Sequence, residues 1–311
     1  MTFKVFNKRS SSFHTINSDY PMNLAAKFGF MAFNFLNNVT NFPKRKSYYR
    51  EYFFSKYEDV INTANQKITP ARFLSNALWA SINFDFLRSI VGGNLNVLDV
   101  GCGSGQYRSV FKLRPSDSYL GLDISTSPYW QMAVSHNVNF AETTYEKVAD
   151  FLPGKNVLIT QSALEHFNFD LKFFQNIHET VSSTGQALIQ IHVFPAKSTL
   201  RTYLWHGIRQ YNLRTIGKIV KLSDPQFPAI LVSLGGKNTS AFHWKSITIH
   251  QIMHRSERFF TTKGNYLEDM MTSLAKDSSE NNSNYAVFYA LIMQHNLDQK
   301  LEFRTLITDK G

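Results

Sequence analysis

Between Leu95 and Val193, short apolar runs recur at a near-regular interval, and the segments between them are amphipathic. Asn96–Val100, Ser118–Ile124, Val138–Ala141, Asn156–Thr160 and Gln186–Val193 read as strands, and Ser104–Leu113, Pro128–Ser135, Thr144–Leu152 and Leu171–Val181 as helices. A chain that alternates in this way makes parallel strands, because each crossover helix brings the chain back to the edge it started from. The helices then cover both faces of the sheet. The expected fold class is α/β, a doubly wound and mostly parallel sheet.

The flanks read differently. Residues 1–20 look poorly ordered, and 22–90 read as helical, with breaks near Asn41–Pro43 and at Thr69–Pro70. From Pro70 to Val91, the residues Phe73, Leu74, Ala77, Leu78, Ala80 and Ile82 keep helical spacing until Gly92–Gly93 stops them. After Pro195 the alternation lapses. Ser198–Leu222 reads as a helix rich in arginine and aromatics, and Lys245–Phe260 and Tyr266–Leu274 as further helices. Asp277–Asn284 reads as a polar break and Tyr285–Met293 as a strand-like run. The expected organisation is a helical extension (1–90), a core (91–195), a cap inserted after the fifth strand (196–243) and a C-terminal part completing the fold (244–311).

Composition narrows the chemistry. With one cysteine in 311 residues, a disulfide framework, an all-cysteine zinc site and a cysteine-ligated iron–sulfur cluster are excluded, and a reducing compartment is expected. The formal charge of +10 points to an anionic partner, such as nucleic acid, a phosphorylated substrate or a membrane surface. It is unevenly spread: +7 over 1–90, −3 over 91–196 and +6 over 197–311. The apolar stretch Met22–Leu36 is short and interrupted by Asn23, Lys27 and Asn34. It reads as an amphipathic helix packed on its own domain or resting on a membrane surface, not as a span. A cytoplasmic protein is expected.

Five of the fifteen glycines lie between Gly92 and Gly105. Gly101, Gly103 and Gly105 follow a strand and open a helix in Val97–Gly105, VLDVGCGSG. Such a loop turns tightly and lets the backbone approach a ligand, with the free N–H groups of a helix start beyond it. The dinucleotide pattern requires glycine at position 106, where this chain has Gln106. Asp99, two residues before Gly101, would repel a pyrophosphate and attract a cation. Both features argue against a dinucleotide oxidoreductase.

VLDVGCGSG resembles the first motif of class I S-adenosylmethionine-dependent methyltransferases, in their small-molecule, type-11-like branch. Three further stretches are similar to that family: YLGLDIS at Tyr119–Ser125, NVLITQSALEHF at Asn156–Phe167, and SSTGQALIQI at Ser182–Ile191, where one glycine stands instead of the usual two. The resemblance implies a Rossmann-like, seven-stranded methyltransferase fold with S-adenosyl-L-methionine as cofactor. It implies that Asp99, Gly101, Gly103 and Gly105 surround the methionine part and ribose, and that Asp123 holds the ribose hydroxyls. Glu142 would stand beside the adenine, and Gln161 and Ser162 would face the methionine end or the acceptor.

Methyl transfer from a sulfonium needs positioning above all, worth about 7–11 kcal/mol of the barrier when an acceptor is held in line. A hydroxyl acceptor also needs a base, and His166 is the candidate; the alternative is that Glu165–His166 only shapes a turn. His192, His243, Arg201 and Arg209 are candidate acceptor contacts, with Arg214 on the same stretch as the two arginines. Cys102 reads as a small loop filler. Thr160-Gln161-Ser162-Ala163 stands where adenine-N6 and glutamine-N5 methylases carry a proline-rich motif, and no Pro-Cys nucleophile or HExxH metal site is present. The expected activity is methylation of oxygen or nitrogen on a small-molecule or glycan acceptor, an anionic one included. The alternatives are an RNA methyltransferase, which no nucleic-acid-binding motif supports, and a scaffold that keeps the fold without the activity.

Overall fold

The computed structural model describes residues 23–25, 28–29, 32, 49–57, 68–197, 210–222, 229–249, 265–280 and 285–307. Its centre is one sheet of eight strands: β1 (Tyr49–Phe54), β2 (Asn96–Val100), β3 (Ser118–Asp123), β4 (Val138–Glu142), β5 (Val157–Gln161), β6 (Leu188–Pro195), β7 (Ala229–Leu234) and β8 (Phe288–His295). Their order is β1-β7-β8-β6-β5-β2-β3-β4. Every pairing is parallel except those of β8, which runs antiparallel to both β6 and β7. The mostly parallel α/β sheet agrees with expectation; among the described residues the strand number exceeds the expected seven by one.

The five strands of the alternating region lie within a residue or two of their expected bounds, and β8 follows from the run Tyr285–Met293. The other two strands fall where helix and cap were expected. β1, YREYFF, lies within the segment read as helical. Its charged Arg50 and Glu51 are exposed, which an edge strand allows, and it pairs only with β7. β7, AILVSL, lies within the segment read as a cap and is buried at all six positions. A six-residue apolar run between proline- and glycine-containing turns carries no periodicity of its own. The sheet therefore draws strands from all four expected segments.

Helix α1 (Pro70–Ser81) starts at the expected break: Thr69 caps it by accepting the Arg72 N–H at 3.2 Å, and Pro70 opens its first turn. Helix α2 (Phe84–Ile90) carries Arg88, whose guanidinium reaches buried Asp117 at 2.6 Å and the Lys112 carbonyl at 3.1 Å. Asp117 also accepts the Leu95 and Arg114 N–H groups, tying α2 to the turn before β3. The helices expected at Ser104–Leu113 and Thr144–Leu152 are short 3-10 segments, Gln106–Phe111 and Tyr145–Phe151. Helix α3 spans Pro128–Ala133 and α4 spans Asp170–Thr184.

Beyond β6, the described part of the arginine-rich segment holds helix α5 (Leu213–Val220). Helix α6 (Lys237–His243), continued by a π-helical turn at Trp244–Thr248, starts earlier than the helix expected from Lys245. Helix α7 (Tyr266–Glu280) runs past the expected end into the segment read as a polar break. Residues 1–20, most of 22–36, and 198–209 with Arg201 and Arg209 lie outside the described residues. Among the described residues no helix is long and apolar enough to cross a membrane.

Each face of the sheet has its own core. On one, Phe73, Leu74, Ala77 and Trp79 of α1 pack with Phe111, Tyr119 and the inward residues of β2, β5 and β6. On the other, Phe173, Phe174 and Ile177 of α4 and Ile216 and Ile219 of α5 pack against Leu98, Leu158 and Leu291. The period-2 alternation of strand side chains divides the site residues between these two faces in the same way.

Candidate active site

The glycine loop leaves the end of β2 and turns beneath the end of β3. Gly101 and Cys102 donate their N–H groups to the Leu122 carbonyl at 2.8 and 3.0 Å. The Gly103 N–H donates to Asp123 Oδ2 at 2.7 Å, and the Trp130 indole donates to the Gly103 carbonyl at 2.9 Å. All three glycines have positive φ, +80°, +55° and +75°, which favours glycine at each. Their surroundings differ. A Cβ on Gly101 would clash with Ala163 Cβ, and one on Gly105 would clash with the Phe140 ring. Gly103 has open space above it. Close packing excludes a side chain at Gly101 and Gly105, whereas at Gly103 the space is open.

Asp123 closes β3 and is half-buried. Besides the Gly103 N–H it takes a long contact from Ser125 N at 3.4 Å, so its carboxylate keeps acceptor capacity. Asp99 is buried on β2. Its Oδ2 accepts the Tyr119 hydroxyl at 2.6 Å, and its Oδ1 has no hydrogen-bond partner among the described residues. Burial, reinforced by the charge of Asp123 and opposed by the Tyr119 hydrogen bond, pushes the Asp99 carboxyl up to about 7. Two carboxylates, one of them with an unsatisfied buried oxygen, make this end of the sheet suited to a cation. Cys102 packs under Gly121, and burial holds its thiol well above the usual range, in keeping with a filler.

Glu142 stands exposed at the end of β4, in register with Asp123. Behind it Phe140 stacks on Trp130 at 5.1 Å and fills the space beside Gly105 and Gly121. Gln161 ends β5, but its amide is committed elsewhere: Oε1 accepts the Trp79 indole N–H at 2.7 Å, and Nε2 donates to Ser75 Oγ at 3.2 Å and Ser162 Oγ at 3.1 Å. It fastens helix α1 to the strand end. Ser162 takes a left-handed φ of +50°, a conformation disfavoured for a side chain with a Cβ. It turns the chain into the 3-10 segment Leu164–His166, where His166 is half-buried. Tyr211 secures that turn, its hydroxyl lying 3.1 Å from the Leu164 carbonyl and 3.0 Å from Asp170 Oδ2.

Both histidines expected at the acceptor are buried. His192 is fully buried on the opposite face between Phe173 and Phe174. Its Nε2 bonds to Gln190 Oε1 at 3.0 Å, which makes Nδ1 the acceptor for the Thr160 hydroxyl at 2.9 Å. Burial lowers its pKa to about 3, so it stays neutral and structural. His243 is buried at the end of α6 beside Thr248, and burial lowers its pKa to about 4. Arg214 lies on α5, which packs on the same face as α4.

Tyr119 is the hydrogen-bond partner of the candidate residue Asp99, and Trp79 and Ser75 are partners of Gln161. Within YLGLDIS the aspartate is the residue that signals a ligand, and in Pro70–Ser81 the apolar spacing carries the pattern, so no local signal marks these three. A groove of about 380 Å3, near Leu113, Pro115 and Asn137, opens at the opposite end of the sheet, where β3 and β4 begin. Among the described residues no cluster of His, Cys, Asp and Glu can hold a metal ion.

Residues 98–189 match the family model described as a methyltransferase domain. No curated protein matches the chain significantly. Similar solved structures include the plantazolicin methyltransferase BamL bound to SAH and a triazolic desmethylPZN analog, at 13% identity, 88% of this chain, 98% of that one and a TM-score of 0.45. A putative sarcosine dimethylglycine methyltransferase from Galdieria sulphuraria gives 13% identity, 88% and 100% coverage and a TM-score of 0.43. A SAM dependent methyltransferase from Archaeoglobus fulgidus gives 13% identity, 68% and 94% coverage and a TM-score of 0.40.

Proposed function

We propose, from the premise that this chain carries a class I S-adenosylmethionine-dependent methyltransferase domain, that it transfers a methyl group directly to an oxygen or nitrogen of a small-molecule or sugar-containing acceptor. The observation that carries this reading is the convergence of open Gly103, half-buried Asp123 and buried Asp99 at the carboxyl ends of β2 and β3. Ligands of open α/β sheets bind at such strand ends. The bound cofactor supplies an electrophilic methyl group on a sulfonium, and its transfer leaves a neutral thioether.

The protein's part is to hold and orient. Asp123 offers its remaining lone pairs to the ribose hydroxyls, and Glu142 borders the adenine side. Asp99 balances positive charge from beneath the glycine loop. His166, carried by the turn after β5, accepts the proton of a hydroxyl acceptor as that oxygen attacks. Tyr211, just beyond β6, braces the turn that carries His166.

The test is a labelled-methyl transfer assay over nucleotide sugars, lipid-linked glycans, small acids and RNA. Transfer to RNA alone would refute the small-molecule reading. For the acceptor found, His166→Ala is expected to lower kcat about 100-fold or more while leaving S-adenosylhomocysteine affinity unchanged. An unchanged kcat removes His166 as base.

Asp99 gives the cofactor site a pH dependence. Without ligand its carboxyl holds a proton to about pH 7, whereas in the unfolded chain it ionises near the ordinary 3.8. Between those values the unfolded state gives up its proton first, so this group lowers the stability of the free protein as pH rises through that window. A bound cation favours the ionised form. Affinity for S-adenosylmethionine should therefore rise between about pH 5.5 and about pH 8, and Asp99→Asn should flatten the rise. Calorimetry across that range decides; pH-independent binding by the wild type would rule Asp99 out as the counter-charge.

A further inference from the structure

Helix α1 lies outside the stretch that matches the methyltransferase domain, yet one of its faces borders the glycine loop. Arg72, Ser75, Asn76 and Trp79 stand at positions i, i+3, i+4 and i+7 and so share that face. Ser75 and Trp79 are fixed to Gln161 at the end of β5. Arg72 and Asn76 meet Tyr107, two residues past Gly105. Arg72 Nη1 donates to the Tyr107 hydroxyl at 3.3 Å, and that hydroxyl donates to Asn76 Oδ1 at 3.4 Å. The guanidinium carbon also lies 5.7 Å from the centre of the Tyr107 ring. Both ends of this helix face are thus anchored at the carboxyl edge of the sheet, one beside the glycine loop and one at the strand bearing the Ser162 turn.

Arg72 is exposed, and no carboxylate among the described residues lies within ion-pair distance of it. Arginine is charged at every working pH, and its planar fork matches the two oxygens of a carboxylate or phosphate. Among the described residues, one of its five N–H donors is used, on a phenol. An uncompensated cation beside a site for a positively charged cofactor raises the electrostatic cost of binding, unless the ligands bring an anion to meet it.

We propose that Arg72, backed by Tyr107 and Asn76, is the oxyanion-binding residue of the methyl-transfer site, receiving a carboxylate or phosphate carried by a bound ligand. The proposal rests on the methyltransferase reading and deepens it. The oxyanion has two sources, an anionic acceptor or the amino-acid carboxylate of the cofactor, and the test separates them.

Wild type, Arg72→Ala, Arg72→Lys and the surface control Arg304→Ala are compared by calorimetry as full-length proteins. One arm titrates S-adenosylhomocysteine and 5′-methylthioadenosine, which lacks the amino-acid carboxylate. The other titrates pyrophosphate into protein saturated with S-adenosylhomocysteine. If the acceptor supplies the anion, Arg72→Ala weakens pyrophosphate binding about tenfold or more, with S-adenosylhomocysteine affinity intact. If the cofactor supplies it, Arg72→Ala weakens S-adenosylhomocysteine about tenfold and leaves 5′-methylthioadenosine unchanged. In either case Arg72→Lys loses less, since it keeps the charge without the fork, and Arg304→Ala behaves as wild type. Affinities for all three ligands in Arg72→Ala equal to wild type, or wild-type protein that binds pyrophosphate no better than Arg72→Ala with S-adenosylhomocysteine unaffected, overturns the proposal. Failure of wild type to bind S-adenosylhomocysteine is the separate failure of the methyltransferase reading.

Discussion

Asp123→Ala is expected to weaken S-adenosylhomocysteine binding about 100-fold, with little loss of thermal stability. The carboxylate does two things at once. It holds the Gly103 N–H at 2.7 Å, which sets the loop, and it keeps lone pairs for hydroxyl donors at the end of β3. Hydrogen bonds to a charged acceptor contribute about 1.5–3 kcal/mol each, so losing two of them corresponds to roughly two or more orders of magnitude in affinity. Stability changes little because the residue is half-buried and water can reach the Gly103 N–H. Asp123→Asn, which keeps one acceptor oxygen, should fall between. Calorimetry on the three proteins checks the ranking; an alanine variant that binds as tightly as wild type would refute the assignment of Asp123 to the ribose.

Asp277→Ala has the opposite profile: a loss of about 3–5 kcal/mol of stability, with its effect on ligand binding only indirect. Asp277 is fully buried in α7, and its carboxylate serves as a remote cap for α6. It accepts the N–H groups of Gly236 at 2.7 Å, Asn238 at 2.8 Å and Thr239 at 2.9 Å, together with the Thr239 hydroxyl at 2.5 Å. No side chain at the start of α6 caps it locally. Removing the carboxylate strands several buried donors at a helix start, where a negative charge is most favourable. A Cβ on Gly236 would come within 2.8 Å of the same carboxylate, so Gly236→Ala should also destabilise. Urea denaturation measures both, and an Asp277→Ala protein within about 1 kcal/mol of wild type would show that solvent replaces the cap.

Asp277 also shows where sequence reading stops. In Asp277–Asn284 the residues DSSENN have the composition of a turn, and the segment reads as one. The helix continues to Glu280 because the aspartate finds donors 38 to 41 residues away in α6, a partnership no local pattern contains. Gln161 is a second case. Its place at the end of a strand is legible, but a glutamine facing a ligand and one locked to Trp79, 82 residues distant, look the same in sequence. His192 is a third. Side chains alternate across the sheet along β5 and β6, and which side meets the ligand depends on which helices cover which face.

The sequence by itself determined what depends on near neighbours: the alternation of strands and helices from Leu95 to Val193, the glycine loop with its positive-φ positions, and an aspartate 22 residues beyond Gly101. Those features obey backbone sterics and side-chain periodicity, which act over a few residues. Tertiary structure alone decided that Tyr49–Phe54 and Ala229–Leu234 join the sheet, that Asp99 is buried against Tyr119 with one oxygen unsatisfied, and that helix α1 brings Arg72 beside the glycine loop. Each of these depends on a partner far away in the chain. Strand pairing, desolvation and hydrogen-bond commitment are properties of what comes to lie beside a residue, and short apolar or polar runs leave that open until the whole chain has packed.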